Sequence, residues 1–475
     1  MKFSQEVFRA YDIRGLTVGN EAPINFNFAH ALGYVFAQQF PKKQPKIILA
    51  RDNRLSGREL IEGLRLGLAE GNCQIFDLGE ATSPYFYFTA CAHKCDGGIQ
   101  ITASHNPREF NGFKIIEAEA RPFFGAKLQN LSQLMQAAPS PQPQITQITK
   151  IDLREAYFQK LCAVGFNLAI ETRQKFKLCK QDQKPLKIVI DCGHGVAGYF
   201  APDFFRRVGA EVVELFCQPD GNFPLGVPDP EHYPNLERLS QKVRATKADL
   251  GIAFDGDGDR LGAVDAQGQI ISADKILILL ARELLKRKPK AEIICDIKAS
   301  GVLVSEVERA GGRVQRHKTG HSFIKERMRE LQAPLAGEIS GHFFFGENYF
   351  GFDDALLAAF KLAKIIVQAE TDFGQTLAEL PQIFATPDYK ITVEDSQKFK
   401  LIEEIAKICE QQFSAEQISR LDGIRIEFAK RRWILIRASN TSPKLTLRFE
   451  AESESALRNL QQDFRKILNQ VGIAF

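Results

Sequence analysis

No run of apolar residues in this sequence of 475 approaches the length needed to cross a bilayer. The opening stretch, Met1 to Glu6, has no apolar signal core, so a cytoplasmic protein is expected. Neither sign of charge is in excess, since 62 basic and 58 acidic residues leave a net charge of +4. That balance argues against nucleic-acid binding as the main business, while leaving room for a local basic cleft. Cysteine is scattered and odd in number, nine in all, which suits neither a disulfide framework nor a zinc ribbon. Cys91 and Cys95 form the only close pair, nothing downstream completes a metal site, and a reducing compartment fits best. Gly-Lys-Ser and Gly-Lys-Thr are absent, which removes the Walker phosphate loop. The remaining composition is ordinary for a globular protein, 44% hydrophobic and 25% charged, with length enough for three or four domains.

Within that length one pattern is stated three times. Short β-branched strands, Lys46–Ala50, Lys187–Asp191 and Glu292–Asp296, lead into helices. In the helix Arg58–Glu70, for instance, Leu60, Ile61, Leu64 and Leu68 share a face. A glycine ends each helix, and a second strand follows it, at Gly71–Phe76, Gly209–Val213 and Gly312–Val314. A third strand then runs into a polar loop: Thr102–Pro107, Asp255–Arg260 or Gly337–His342. Alternating strands and helices predict α/β layers, whose ligands gather at the carboxyl ends of strands. The three loops are therefore expected to face one cleft. The tail differs, with a strand at Tyr389–Val393, a helix Gln397–Phe413, strands at Ile424–Phe428, Trp433–Arg437 and Leu445–Ala451, and a closing helix from Glu454. It reads as a smaller α+β unit behind a linker at Pro381–Pro387, and a further boundary falls at the proline-rich Pro139–Pro143. The domains expected are 1–150, 151–266, 267–382 and 383–475.

The loops hold the chemistry. Ile99–Thr102 delivers Ser104 to a turn closed by Asn106 and Pro107, and Asn111-Gly112-Phe113-Lys114 supplies a second turn and a lysine. A hydroxyl beside His and Lys at a strand end suits a nucleophile or a phosphoryl carrier. It is not a nucleophile elbow, because Thr102 and Asn106 stand where glycines are needed. Asp255, Asp257 and Asp259, separated by glycines, offer hard oxygen ligands on a pliable backbone. An EF-hand is excluded, since Arg260 replaces its glycine and Ala266 its bidentate glutamate. Magnesium with a phosphate as further ligand suits the set. Glu338, Ser340 and His342 would point one way in extended chain, suiting a grip on sugar hydroxyls. Arg437–Pro443 carries a guanidinium, hydroxyls and an amide on one turn, the makings of a phosphate cradle. Gly193–Gly198 matches a dinucleotide fingerprint, with Glu214 near the ribose position, yet those glycines equally serve a tight strand-to-helix turn.

Taken together, Phe8–Gly15, the three polar loops and Arg437–Pro443 resemble the α-D-phosphohexomutases, in particular the bacterial phosphomannomutase/phosphoglucomutase branch, over nearly the whole chain. The resemblance implies three similar α/β domains with mixed sheets around a central cleft, and a C-terminal α+β domain like the TATA-box-binding protein. It implies that Ser104 carries the phosphoryl group and that Asp255, Asp257 and Asp259, with the phosphoserine oxygen, hold Mg2+. Arg14, Lys114 and His342 match positions proposed for acid/base work. Lys298, His321, Glu338 and Ser340 match sugar contacts, and Arg437, Ser439, Asn440 and Thr441 match the grip on the other phosphate. Tyr11 and Arg260 match positions lining the cleft. The reaction implied moves phosphate between the ends of a hexose phosphate through glucose 1,6-bisphosphate or mannose 1,6-bisphosphate. A tail domain closing over substrate would keep water out. No nucleic acid, membrane or protein partner is called for. Two departures stand out: Phe110 where tyrosine is usual, and Ile339 where the mannose/glucose branch often has methionine and the glucosamine branch glutamine. The apolar choice favours mannose and glucose phosphates, with phosphoglucosamine mutase as the alternative. A magnesium-dependent phosphatase would instead release inorganic phosphate, and a noncatalytic sugar-phosphate binder would tolerate loss of Ser104.

Overall fold

A computed structural model describes residues 3–19, 21–142, 147–166, 178–180, 184–369, 373–439 and 443–473. Its chain falls into two compact units, one of Met1–Ala273 with Ser340–Gly374, the other of Asp274–Ile339 with Gln375–Phe475. No helix among the described residues is long and apolar enough to cross a membrane.

The first unit contains two mixed sheets. In one, the strands run in the order Ile13–Leu16, Phe110–Glu117, Gly97–Ile101, Lys46–Arg51, Gln74–Glu80 and Ile148–Lys150. In the other the order is Ile270–Ile271, Leu261–Asp265, Leu250–Phe254, Lys187–Asp191 and Glu211–Leu215. The repeat read from the sequence has a common geometry. The first strand of each set lies between the second and the third, parallel to both: Lys46–Arg51 between Gln74–Glu80 and Gly97–Ile101, and Lys187–Asp191 between Glu211–Leu215 and Leu250–Phe254. The central strands are buried throughout, as both faces of such a sheet are covered by helices. Leu60, Ile61, Leu64 and Leu68 of the helix Gly57–Glu70 turn inward as their spacing requires.

One expected turn is a strand. Asn111 and Gly112 lie inside Phe110–Glu117 and pair with Gly15 and Arg14. The glycine serves close approach: a methyl group there would lie 2.0 Å from the Ile13 carbonyl oxygen.

In the second unit the pattern recurs, with Glu292–Asp296 parallel to both Arg313–His317 and Leu335–Gly337. Its other sheet takes the order Phe384–Ala385, Lys444–Ala451, Arg432–Ala438, Ile424–Ala429 and Ile418–Ser419, with Tyr389–Thr392 also on Lys444–Ala451. Helices Lys398–Gln412 and Glu454–Gln470 supply Ile402, Ile405, Phe464 and Ile467 to that sheet's core. The segment read as a linker thus contributes Phe384 and Ala385 to a sheet, where they pair with Ala451 and Glu450. Pro143, within the other boundary, lies outside the described residues.

Candidate active site

Strand Gly97–Ile101 ends just before Ser104, and a buried arginine folds the loop that follows. Arg54 donates through Nη2 to the carbonyls of Ser104 (2.8 Å) and Asn106 (2.7 Å), and through Nη1 to those of Pro107 (2.7 Å) and Phe110 (3.0 Å). Its Nε donates to Asp52 Oδ2 at 3.1 Å, and Asp52 also accepts from the Thr102 hydroxyl at 2.8 Å. The Thr102 Oγ1 accepts from the Ser104 N–H at 2.9 Å. Held this way, Ser104 sits in the left-handed region at φ 48°, a conformation a non-glycine residue keeps only when its surroundings over-determine it.

Strand Leu250–Phe254 brings the acidic loop to the same place. The Ser104 hydroxyl donates to Asp255 Oδ2 at 2.7 Å, and a methyl on Gly256 would lie 2.6 Å from the Ser104 carbonyl oxygen. Asp255, Asp257 and Asp259 are fully buried and present carboxylate oxygens within 4.8 Å of one another. From strand Phe110–Glu117, Lys114 places Nζ 2.6 Å from Asp257 Oδ2 and also donates to Asp259 Oδ2. The opposite oxygens, Asp257 Oδ1 and Asp259 Oδ1, are buried and accept no hydrogen bond. Clustered hard oxygens with unused lone pairs fit a small divalent cation.

The charges set the proton affinities. Burial pushes the Asp255 carboxyl well up, and the neighbouring Asp259 and Asp257 push it further. Burial works the same way on Asp257, but Lys114 outweighs it and holds that carboxyl far below the usual range. For Lys114 burial favours the neutral amine, and Asp257 and Asp259 outweigh it, so the ammonium persists well above the usual lysine range. Arg14 donates through Nε to Asp12 Oδ2 at 2.7 Å and through Nη1 to Asn106 Oδ1 at 2.9 Å, beside the serine loop. Tyr11, three residues before Arg14, is half-buried.

His342 joins this group. Arg260 Nε donates to its Nε2 at 3.0 Å, and Nδ1 lies 2.8 Å from Asp353 Oδ2. A guanidinium only donates, so Nε2 is the accepting nitrogen and Nδ1 carries the proton to Asp353. Asp259, His342 and Asp353 also form a close cluster, but a protonated Nδ1 has no lone pair for a metal. The expected extended run through Glu338, Ser340 and His342 is absent, because residues 339–341 turn, with Gly341 at φ 91°.

Lys298, His321, Glu338, Arg437 and Ser439 belong to the second unit. There Lys298 Nζ donates to Asp388 Oδ2 at 3.1 Å, and Glu338 Oε1 accepts from the Gly320 N–H at 2.7 Å, one residue before His321. Asp422 Oδ2 accepts from both Arg437 Nε (2.9 Å) and the Thr319 N–H (3.0 Å). Ser439 is half-buried and donates its N–H to the Lys444 carbonyl at 2.8 Å. Asn440 and Thr441 lie outside the described residues.

The dinucleotide-like glycines serve packing. A methyl on Gly198 would lie 1.9 Å from the Cys217 carbonyl oxygen, and one on Gly195 2.9 Å from that of Gly256; Glu214, the candidate ribose ligand, pairs with Arg206 at 2.6 Å. Sequence reasoning missed Arg54, Ser83, Gln100 and Asp353. Arg54 was signalled by the polar run Arg51–Arg54 ending a strand, and Asp353 by its acidic pair with Asp354.

A serine hydroxyl beside three clustered carboxylates and a lysine is an arrangement that suits metal-assisted phosphoryl transfer. Four family descriptions match the chain in order: Phosphoglucomutase/phosphomannomutase alpha/beta/alpha domain I over residues 5–142, domain II over 166–268, domain III over 272–384, and the C-terminal domain over 389–467. The chain is 38% identical over 467 residues to the phosphomannomutase/phosphoglucomutase of Pseudomonas aeruginosa, covering 98% of this chain and 96% of that one. It is likewise 38% identical to the phosphoglucomutase of Neisseria gonorrhoeae, covering 98% and 97%. A phosphoglucomutase/phosphomannomutase family protein from Burkholderia thailandensis superposes with a TM-score of 0.85 at 36% identity, covering 98% of each chain. The chain belongs to the phosphoglucomutase/phosphomannomutase family, within the α-D-phosphohexomutases, and has that family's four-domain α/β architecture.

Proposed function

We propose that this enzyme interconverts hexose 1-phosphate and hexose 6-phosphate, with Ser104 as phosphoryl carrier and mannose or glucose phosphates as substrates. The observation that carries the proposal is the Ser104 hydroxyl, 2.7 Å from Asp255 inside the carboxylate cluster. Relatives aligned over nearly the whole chain bear the names phosphomannomutase and phosphoglucomutase, which disfavours glucosamine phosphate.

In the first half-reaction a free sugar hydroxyl attacks the phosphorus on Ser104. A new oxygen–phosphorus bond forms, the Ser104 Oγ–phosphorus bond breaks, and a hexose 1,6-bisphosphate results. The reverse step, after the sugar turns over, returns the phosphoryl group at the other end to Ser104. Glucose 1,6-bisphosphate or its mannose counterpart would accordingly recharge an enzyme that has lost its phosphate. Asp255, Asp257, Asp259 and the Ser104 oxygen would hold Mg2+, which when bound supplies charge neutralisation at the transferring group. Lys114 and Arg14 are cations at neutral pH, so they would serve as charge stabilisers and hydrogen-bond donors to the transferring group. His342 would accept the proton of the attacking hydroxyl at Nε2 once substrate displaces the Arg260 Nε–H that occupies that nitrogen at 3.0 Å. Lys298, His321, Glu338 and Ser340 would orient the sugar, with Tyr11 and Arg260 beside the path. Arg437, Ser439, Asn440 and Thr441 would hold the phosphate that stays. The domains proposed are a phosphoserine domain (1–150), a metal-binding domain (151–266), a sugar domain (267–382) and a phosphate domain (383–475), in a cytoplasmic enzyme.

A coupled assay with Mg2+ and a trace of glucose 1,6-bisphosphate tests this, comparing mannose, glucose and glucosamine 1-phosphates. Similar turnover of the first two and little of the third is expected. Ser104→Ala should remove nearly all turnover while keeping the fold. Near-normal activity in that variant refutes the carrier role, and stoichiometric release of inorganic phosphate by the wild type points to a phosphatase.

A further inference from the structure

Ser83 lies at the start of the helix Ser83–Ala92 and is fully buried, 0% exposed, as is Gln100 on the neighbouring strand. Its hydroxyl is 2.7 Å from Asp257 Oδ2 and 2.7 Å from Gln100 Oε1, and it accepts from Lys114 Nζ at 3.2 Å. Its backbone N–H donates to the Asp257 carbonyl at 2.8 Å. Gln100 Nε2 donates to the Ala81 carbonyl at 3.1 Å. That bond leaves Oε1 toward Ser83, so Gln100 Oε1 and Asp257 Oδ2 compete for the one hydroxyl proton, and the charged carboxylate is the stronger acceptor. Asp257 is thus gripped from outside its own loop, at both main chain and side chain.

The consequence is a division of labour between the two oxygens of one carboxylate. Asp257 Oδ2 is filled by the Ser83 hydroxyl and the Lys114 ammonium. Asp257 Oδ1 is buried and accepts no hydrogen bond, and it belongs to the cluster formed with Asp255 and Asp259. Lys114 is a divided partner, since it also serves Asp259, and an incoming phosphate would draw on it further.

We infer that Ser83 is a positioning residue for the divalent-cation site: its hydroxyl proton holds Asp257 Oδ2 so that Oδ1 is ready for the metal. The inference rests on the proposed metal role of the three aspartates. Outer partners of ligating carboxylates typically affect metal affinity by about 10–100-fold.

Mn2+ serves as the probe, titrated into the purified full chain with the free ion followed by electron paramagnetic resonance. Ser83→Ala should bind Mn2+ roughly 10–100-fold more weakly than wild type, and Ser83→Thr, which keeps the hydroxyl, should recover most of the loss. In the mutase assay the Mg2+ concentration for half-activation should rise with the Mn2+ constant, while KM for the hexose phosphate stays put. A merely structural role would lower the melting temperature and leave the metal constant alone. Should Ser83→Ala fail to fold, Ser83→Cys gives the same comparison with the side-chain volume kept. Asp257→Asn separates the two layers of the argument. If it loses Mn2+ while Ser83→Ala binds normally, the role of Ser83 is overturned alone. If Asp257→Asn binds Mn2+ as wild type does, the metal reading falls and takes this inference with it.

Discussion

Replacing Arg54 by methionine tests what holds the serine loop in place. Methionine fills much of the same volume and removes every donor of a guanidinium that is 0% exposed. Four carbonyls, of Ser104, Asn106, Pro107 and Phe110, each lose a charged donor at once. Asp52, also 0% exposed, loses the cation at 3.1 Å. Burial already raises the Asp52 carboxyl above its ordinary range, with Arg54 the main opposing influence, so the variant should take up a proton there. Breaking a buried ion pair by removing one partner costs about 3–5 kcal/mol. At roughly 1.4 kcal/mol per factor of ten, local opening of the loop should rise on the order of 10²–10³-fold. Hydrogen exchange read by mass spectrometry on peptides spanning residues 99–115 measures that opening without requiring the whole chain to unfold in one step. Arg54→Lys should fall between, because an ammonium keeps the charge but lacks the planar fork. Adding Asp52→Asn to Arg54→Met should recover part of the loss by removing the stranded acid. Exchange that changes by less than about threefold in Arg54→Met would refute the reasoning, since a loss below about 0.7 kcal/mol is incompatible with a buried, fully used guanidinium.

Two further outcomes follow from the neighbouring acids. Burial pushes Asp354 up to about 6, although the Leu357 N–H and the hydroxyls of Tyr349 and Tyr157 pull it back. A carboxyl raised in the folded state contributes stability that is present below pH 4 and lost as pH rises through 6. Relative to Asp354→Asn, the wild type should lose on the order of 3 kcal/mol over that window, measured as denaturant midpoints of the first unit at pH 4 and pH 7; parallel profiles would count against it. Asp353→Ala removes the acceptor that keeps the His342 proton on Nδ1. Turnover should fall about 10²-fold with KM for the hexose phosphate little changed. An unchanged turnover with a raised KM would assign Asp353 to packing instead.

Much of this was legible in the letters, because the signals are local. Strand–helix–strand periodicity, glycines after helices, and polar loops at strand ends are written within a dozen residues of one another, and each has a short-range physical cause. That is why the repeat, the tail's strand and helix order, and Ser104 with the three aspartates were readable before any coordinates. The tertiary structure decided partnerships. Asn111-Gly112 reads as a turn by composition, yet the Ile13 carbonyl approaching from a strand nearly a hundred residues away makes it a strand with a required glycine. Glu338, Ser340 and His342 alternate in sequence, but a left-handed Gly341 breaks the alternation. Arg54 and Ser83 are unremarkable letters. Only the docking of their segments onto the serine and aspartate loops makes one a clamp on four carbonyls and the other a partner of Asp257. A residue type declares which bonds it is able to make. Which of them it does make depends on atoms brought close by folding, and a buried donor or acceptor acquires its role from that neighbour rather than from its place in the chain.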